Sequence, residues 1–425
     1  MKKTKIGLIG LGTVGSGVFK TLKNFPDIEV VKIAVRDMSK TRNIAGLDNS
    51  ILTTNPEEVV NNPEIEIVAE LMGGVHPAYE LIKNAIENGK HVVTANKELL
   101  AKHGEELFRY AEKFNVVILY EAAIAGGIPL IMPIKTILAG NKITKIEAIL
   151  NGTTNYILTN MDVNQASYET VLKEAQELGY AEADPTGDVE GFDSTYKLTT
   201  LATITFNKRV KLEDVYREGI SHIQKEDIKY ANELGYKIKL IAYATIDEND
   251  NADVRVHPMF VDKKETLAHI DYVTNAVTLT GTPIGKITLS GPGAGEFPTA
   301  SSVVGDILSI AREIGTTDYI LPMMRCQHAH ETTAKVIPIE ETENKYYLRL
   351  IANDKIGGIA DITEHFAEKK ISIETILMKE VKENNTAEIV IVTDKFKEKL
   401  IKELKEDFAK HSCVKELASM IRINA

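Results

Sequence analysis

The first third of the chain alternates short apolar runs with stretches in which apolar positions recur at helical spacing. KIGLI (5–9) leads into the glycine turn GLGTVG and then into VFKTLKNF, giving strand, turn and helix in succession. VVKIAV (30–35), EIEIVAEL (64–71), HVVTAN (91–96) and VVILYEAA (116–123) read as four more strands, with helical segments such as AYELIKNAIENG and GEELFRYAEKF between them. The alternation predicts an α/β fold on a doubly wound parallel sheet of Rossmann type, because a strand returns parallel to its neighbour only through a crossover.

From about residue 143 the pattern changes. ITKIEAILNGTTNYILTNM reads as strand, Gly/Thr/Asn turn and helix, and DVRVHPMFV and NAVTLTG follow like successive hairpin strands. A second, mixed α+β domain is expected there. GPGAGEFPTASSVVGDILSIAREIG (291–315) is another glycine loop opening a helix, and residues 316–345, with Pro322 and Pro338, read as linker. Residues 346–425 run strand, helix, strand, strand, helix, strand, a βαββαβ ferredoxin-like unit.

Composition narrows the function more than the fold. A chain of 425 residues is long enough for two or three domains. The net charge of -11 argues against nucleic acid as the main partner, since that affinity comes largely from Lys and Arg. Two cysteines, Cys326 and Cys413, offer neither a disulfide framework nor CxxC zinc spacing and suit a reducing cytoplasm. The N-terminal apolar stretch is too short to span a bilayer and has no small-residue cleavage site, so neither a membrane nor secretion is expected.

Candidate chemistry begins at the first turn. Gly10, Gly12 and Gly15, with Thr13 and Val14 between the last two, fit GxGxxG directly after a strand and before a helix, where the free N–H groups of the helix end favour a dinucleotide's phosphates. The second strand ends in Arg36-Asp37, with Lys40 and Arg42 close behind: an acid there would hold the ribose of NAD, an arginine the 2′-phosphate of NADP, and the balance leans to NADP. Lys97, in TANKELL, lies at the strand end where open α/β sheets bind ligands. EAAIAGGIP (121–129) could line a cation site with backbone carbonyls or simply make a sharp turn.

The acid-rich stretch AEADPTGDVEGFDSTYKL (181–198) is no calcium loop, because counting from Asp184 puts Val189 where Gly is needed and Thr195 where Glu is needed. FDSTYKLTTLATITF is helical, so Asp193 and Lys197 share one face. They could form a surface pair worth only about 0.3–0.5 kcal/mol, or an amine held beside a carboxylate in a cleft.

Six motifs in order, GLGTVG, TANK (94–97), EAAIAGGIP, ILNGTTNYIL (149–158), GYAEADPTGDVEGFDSTYKL (179–198) and GPGAGEFPTASSVVGDI (291–307), resemble homoserine dehydrogenase over essentially residues 1–320. Residues 346–425 resemble the ACT regulatory domain. The resemblance implies a dinucleotide-binding domain over 1–130 with about 291–320, a substrate-binding and dimerisation domain over 131–290, a linker over 321–345 and a regulatory domain over 346–425. It implies hydride transfer between NADP, or NAD, and L-homoserine, giving L-aspartate 4-semialdehyde. Lys197 becomes the acid/base, Lys97 its assistant at the same oxygen or on the cofactor side, Glu182 the partner of the substrate ammonium and Asp193 part of that pocket. Gly179 and Gly295 become backbone contacts at the cofactor and substrate boundary. Glu121 and the carbonyls of Ile124, Gly126 and Ile128 become a structural sodium site. Asn353 and Asp354 are candidates for holding an amino-acid effector, L-threonine by feedback logic, and a homodimer or homotetramer is expected. A close Asp193 would oppose simple base chemistry by Lys197, and Asp184, Asp188 and Glu190 receive no role.

Overall fold

The structure, a computed structural model, describes residues 3–314, 332–381 and 386–424. Six strands, β1 (Thr4–Ile9), β2 (Ile28–Ala34), β3 (Leu52–Thr53), β4 (Ile67–Glu70), β5 (His91–Thr94) and β6 (Ile118–Leu119), form one sheet in the order β3-β2-β1-β4-β5-β6. Every neighbouring pair is parallel, which is the doubly wound arrangement. β3 is only two residues long, too short to leave a periodic signal. The predicted strand 116–123 is cut to two residues because Ala122–Ala125 turns into helix. Glu121, just before that helix, aims its carboxylate at the N–H groups of Leu130, Ile131 and Met132, which fixes the sharp turn.

Packing groups the described chain into two compact units. The first takes in residues 1–152, 193–215 and 273–334, the second 153–192, 216–272 and 335–425, so residues 131–290 contribute to both. In the first unit, helix Glu296–Glu313 comes from far down the chain to pack on the parallel sheet. Its Ala300, Val303, Val304, Ile307 and Ile310 join Ile6, Leu8, Ile33, Ile67 and Val93 in one core. Each such Val or Ile contributes about 1.5–3 kcal/mol when fully buried. Gly17, on helix Thr13–Leu22, makes the approach possible: a Cβ there would lie 2.5 Å from the Glu296 carbonyl oxygen.

The first unit also carries an antiparallel meander of β7 (Lys142–Ile149), β11 (Thr274–Thr282) and β12 (Gly285–Pro292), in which β11 is the middle strand. The second unit holds β8 (Tyr216–Arg217), β9 (Tyr236–Ile246), β10 (Asn251–Asp262) and β13 (Lys335–Val336), with β9 antiparallel to β10. The expected hairpin of DVRVHPMFV with NAVTLTG is therefore replaced. Each of those strands pairs with a neighbour, Tyr236–Ile246 or Gly285–Pro292, that the pattern had not singled out.

The C-terminal segment runs β14 (Glu343–Asn353), helix Gly358–Glu368, β15 (Ile373–Val381), β16 (Thr386–Thr393), β17 (Phe396–Lys397), helix Lys399–Lys410 and β18 (Val414–Ile423). Its strand order β18-β14-β16-β15 is that of a βαββαβ ferredoxin-like sheet, and both helices bury Ile362, Phe366, Leu404 and Phe408 against it. Of the expected linker, residues 332–345 include β13 and the start of β14, and 316–331 lie outside the described residues. Within the second unit, Arg349 bonds Asp227 at 2.8 Å and Arg422 bonds Glu218 at 2.6 Å, tying this sheet to helix Lys225–Glu233 and the loop after β8. Among the described residues no helix is long and apolar enough to cross a membrane.

Candidate active site

At the C-terminal ends of β1, β4 and β5 the chain reverses direction through loops rich in glycine and polar side chains. Gly10 has φ +108°, and a Cβ there would lie 2.7 Å from the Leu71 carbonyl oxygen; one on Gly15 would lie 2.2 Å from that of Gly10. Gly12 caps helix Thr13–Leu22 with no side chain bonded to its first N–H groups, and an added Cβ would meet nothing within 4 Å. Gly12 and Thr13 are exposed and Val14 is half-buried. An open, uncapped helix N-terminus with close glycines is what a pyrophosphate requires. Gly295, with φ +126°, caps the neighbouring helix Glu296–Glu313 in the same unit.

After β2, Arg36 is exposed. The Asp37 carboxylate accepts from the N–H of Ser39 at 2.8 Å and its hydroxyl at 2.7 Å. These hydrogen bonds, the hydroxyl's first, hold it below the usual carboxylate range. Arg42 donates to the carbonyls of Lys40 and Asp37. The acid is turned into its own loop, and Arg42 folds back over the same loop.

Lys97 opens helix Lys97–Lys113 directly after β5. Its position depends on a residue that escaped notice in the sequence. Glu70, fully buried at the end of β4, accepts from the N–H groups of Met72 at 2.9 Å and Gly73 at 3.2 Å, and from the Thr94 hydroxyl at 2.7 Å. Thr94 in turn accepts from the Asn96 N–H at 3.0 Å, and the Asn96 side chain caps the helix at Leu99 and donates to the Gly74 carbonyl at 2.6 Å. Glu70 reads as an ordinary charged strand end in EIEIVAEL; nothing in its spacing marks it.

Helix Phe192–Phe206 brings Asp193 and Lys197 to the same place. Both are 8% exposed, so the pair is not a solvated surface bridge. Lys197 Nζ lies 2.7 Å from Asp193 Oδ2 and 2.7 Å from the Leu150 carbonyl oxygen. The Asn151 amide donates to Asp193 Oδ2 at 2.9 Å, and Lys97 Nζ reaches Asp193 Oδ1 at 2.5 Å. Lys97 is the more open of the two amines, with 42% of its side chain exposed. Burial pushes the Asp193 acid up, but Lys197 and Lys97 outweigh it and hold the group ionised well below the usual range. Two ammonium groups facing one carboxylate leave the cluster net positive.

The remaining candidates are more dispersed. Glu182 and Gly179 belong to the second unit; both are exposed, and Gly179 has φ +76°. Asp184 caps Thr186 at 3.1 Å, and Glu190 accepts from Ser221 at 2.8 Å, so both shape the loop before Asp193. The Glu121 carboxylate is spent on three backbone N–H groups, Ile124 and Ile128 are buried, and the Gly126 carbonyl accepts from Ser302 at 2.6 Å. The N–H of Asn353 bonds the Cys413 carbonyl at 2.7 Å, and Asp354 is exposed.

Residues 10–121 match the model for the homoserine dehydrogenase NAD-binding domain and residues 129–308 that for homoserine dehydrogenase. Homoserine dehydrogenase of Neisseria gonorrhoeae is 41% identical, over 100% of this chain and 99% of its own; that of Synechocystis is 41% identical, over 99% of each. The crystal structure of a homoserine dehydrogenase from Thiobacillus denitrificans superposes with TM-score 0.91 at 39% identity, covering 100% of this chain and 99% of that one. A hyperthermophilic archaeal homoserine dehydrogenase mutant in complex with NADPH covers 75% of this chain and 99% of its own, with TM-score 0.63 at 26% identity. Identity sustained from end to end, with both models matched in order, means that the chain belongs to the homoserine dehydrogenase family.

Proposed function

We propose that the chain interconverts L-homoserine and L-aspartate 4-semialdehyde with NADP as the preferred hydride carrier. The observation that carries this reading is the Lys197–Asp193–Lys97 cluster, its acid and first lysine buried, at the edge of a sheet whose first turn is shaped for pyrophosphate. β1 and β5 flank β4, so Lys97 stands two strand spacings, about 10 Å, from the phosphate cradle. That span suits a nicotinamide when the pyrophosphate sits at Gly12. The bound cofactor supplies or accepts the hydride at C4 of the substrate. Lys197 donates a proton to the aldehyde oxygen during reduction and takes it back during oxidation; Lys97 stabilises the charge developing on the same oxygen. Asp193 orients both amines, and the second ammonium offsets its pull on Lys197.

Glu182 pairs with the substrate ammonium in this reading, and Gly179 and Gly295 offer backbone contacts. NADP is supported by the exposed Arg36 with Lys40 and Arg42 close in sequence, and by an Asp37 carboxylate already bonded to Ser39. A sodium ion near Glu121 would be held by the second lone pairs of carbonyls such as that of Gly126, since the carboxylate is engaged. Residues 346–425 act as the ACT sensor, with L-threonine at the loop of Asn353 and Asp354. A homodimer or homotetramer is supported by Ile376 and Met378, exposed on β15 at the end of the sheet order. The chain works in the cytoplasm.

The test is loss of NADPH absorbance on addition of L-aspartate 4-semialdehyde. No oxidation by folded, cofactor-binding protein would leave a dinucleotide and amino-acid sensor without turnover. The same assay run with L-threonine examines the sensor: an unchanged rate together with an unchanged melting temperature removes threonine as effector.

A further inference from the structure

The C-terminal sheet carries a second cluster of chemically active side chains, separate from the lysines. Asp361 lies on helix Gly358–Glu368, and His411 and Cys413 lie two residues apart at the entry to β18. One donor atom from each falls within 4.8 Å of the other two, with Cys413 Sγ 3.3 Å from an Asp361 carboxylate oxygen. His365, four residues after Asp361 on the same helix, places its ring 4.9 Å from that of His411, edge to face. The four side chains thus follow D-x3-H on a helix and H-x-C on the facing chain. Ligands four apart on a helix share a face, which is how a helix offers two donors to one ion.

We propose that Asp361, His411 and Cys413, with His365 as the fourth ligand, bind a zinc-class divalent ion. Zinc takes sulfur at about 2.3 Å and nitrogen or oxygen at about 2.0–2.1 Å, so donors around a tetrahedral ion stand roughly 3.3–3.5 Å apart. The thiol–carboxylate pair already has that spacing, the donors of Asp361, His411 and Cys413 all lie within 4.8 Å of one another, and binding would draw these and the His365 ring inward. Thiolate and carboxylate together balance the ion's two charges, and the imidazoles bind neutral. Binding transfers the thiol proton to solvent. The ion competes with the Cys413 N–H for the His411 Nδ1 lone pair. Cys413 is itself fully buried, and its carbonyl bonds the N–H of Asn353. An ion here would therefore stiffen the loop carrying Asn353 and Asp354, independently of what the enzyme's substrate is.

Cobalt(II) titration of the full chain, stripped with a chelator and kept reduced, tests this directly. One equivalent is expected to produce a near-ultraviolet thiolate-to-cobalt band with tetrahedral visible absorption, and zinc should displace both. Cys413→Ser should abolish the band and Cys326→Ser should keep it. His411→Ala and Asp361→Asn should weaken binding by roughly ten-fold or more, the scale seen on losing even an outer-shell partner. His365→Ala should cost affinity without removing the thiolate band. Absence of a saturable band, or a band that survives Cys413→Ser, would overturn the site. Circular dichroism of each variant distinguishes a lost ligand from a lost fold.

Discussion

Asp193 is one carboxylate between two ammonium groups, and that ratio governs what each can do. Its acid is held down by Lys197 and Lys97 against the effect of burial, so its contribution to stability is present above the unfolded value near about 4 and is lost only as pH falls through the lower folded value. Inflections in the rate above pH 5 therefore do not belong to Asp193. Lys197→Ala is expected to reduce turnover by at least about 10²–10⁴-fold, the range of a lost proton-transfer group, while the NADPH dissociation constant measured by fluorescence stays within a few-fold. Comparable loss of both would make the lysine structural. Asp306 behaves oppositely. It is buried on helix Glu296–Glu313, accepts the Glu121 N–H at 2.8 Å and has its acid pushed well up, chiefly by burial. A raised acid costs stability as pH climbs from the unfolded value towards the folded one. Asp306→Asn should therefore gain in melting temperature relative to the parent between pH 5 and pH 8; a difference that stays flat would contradict this.

At the scale of elements, the strand ends are organised by buried acceptors rather than by the strands themselves. Glu70 joins the loop after β4 to the loop after β5, so its loss releases Met72, Gly73 and Thr94 together. Glu70→Ala should destabilise by about 1–3 kcal/mol for groups left without partners, lower kcat through misplacement of Lys97, and change NADPH affinity less. Glu70→Gln, which keeps an acceptor oxygen, should recover most of both; equal damage by the two variants would argue against positioning. Gly17→Val tests a different joint. Its side chain would meet the Glu296 backbone, and overpacking of about 1–3 kcal/mol should appear as a lower denaturation midpoint. Neither joint follows from periodicity, because Glu70 looks like a polar strand end and Gly17 like a helix residue of poor propensity.

For the whole molecule, charge is the first constraint. A chain of net charge -11 that binds a polyanionic cofactor needs a local reversal of sign, and in the proposed reading Arg36, Lys40 and Arg42 would supply it after β2. Exposed charges are screened over about 8–10 Å at physiological salt, so the KM for NADPH should rise with ionic strength more steeply than that for NADH, and Arg36→Ala should flatten the difference. Identical salt slopes for both cofactors would remove these residues from the 2′-phosphate. The residue pattern alone determined the parallel-sheet class, the glycine turn, the shared face of Asp193 and Lys197 and the βαββαβ ending, because each is a local periodicity or a short spacing. Ordered motifs added the family. Tertiary structure decided that the Asp193–Lys197 pair is buried, that Lys97, Asn151 and the Leu150 carbonyl converge on it, and that helix Glu296–Glu313 closes the first core. Those contacts join Asn151 to Asp193 across 42 positions, Leu150 to Lys197 across 47 and Lys97 to Asp193 across 96, and no repeat along the chain records which side chains meet.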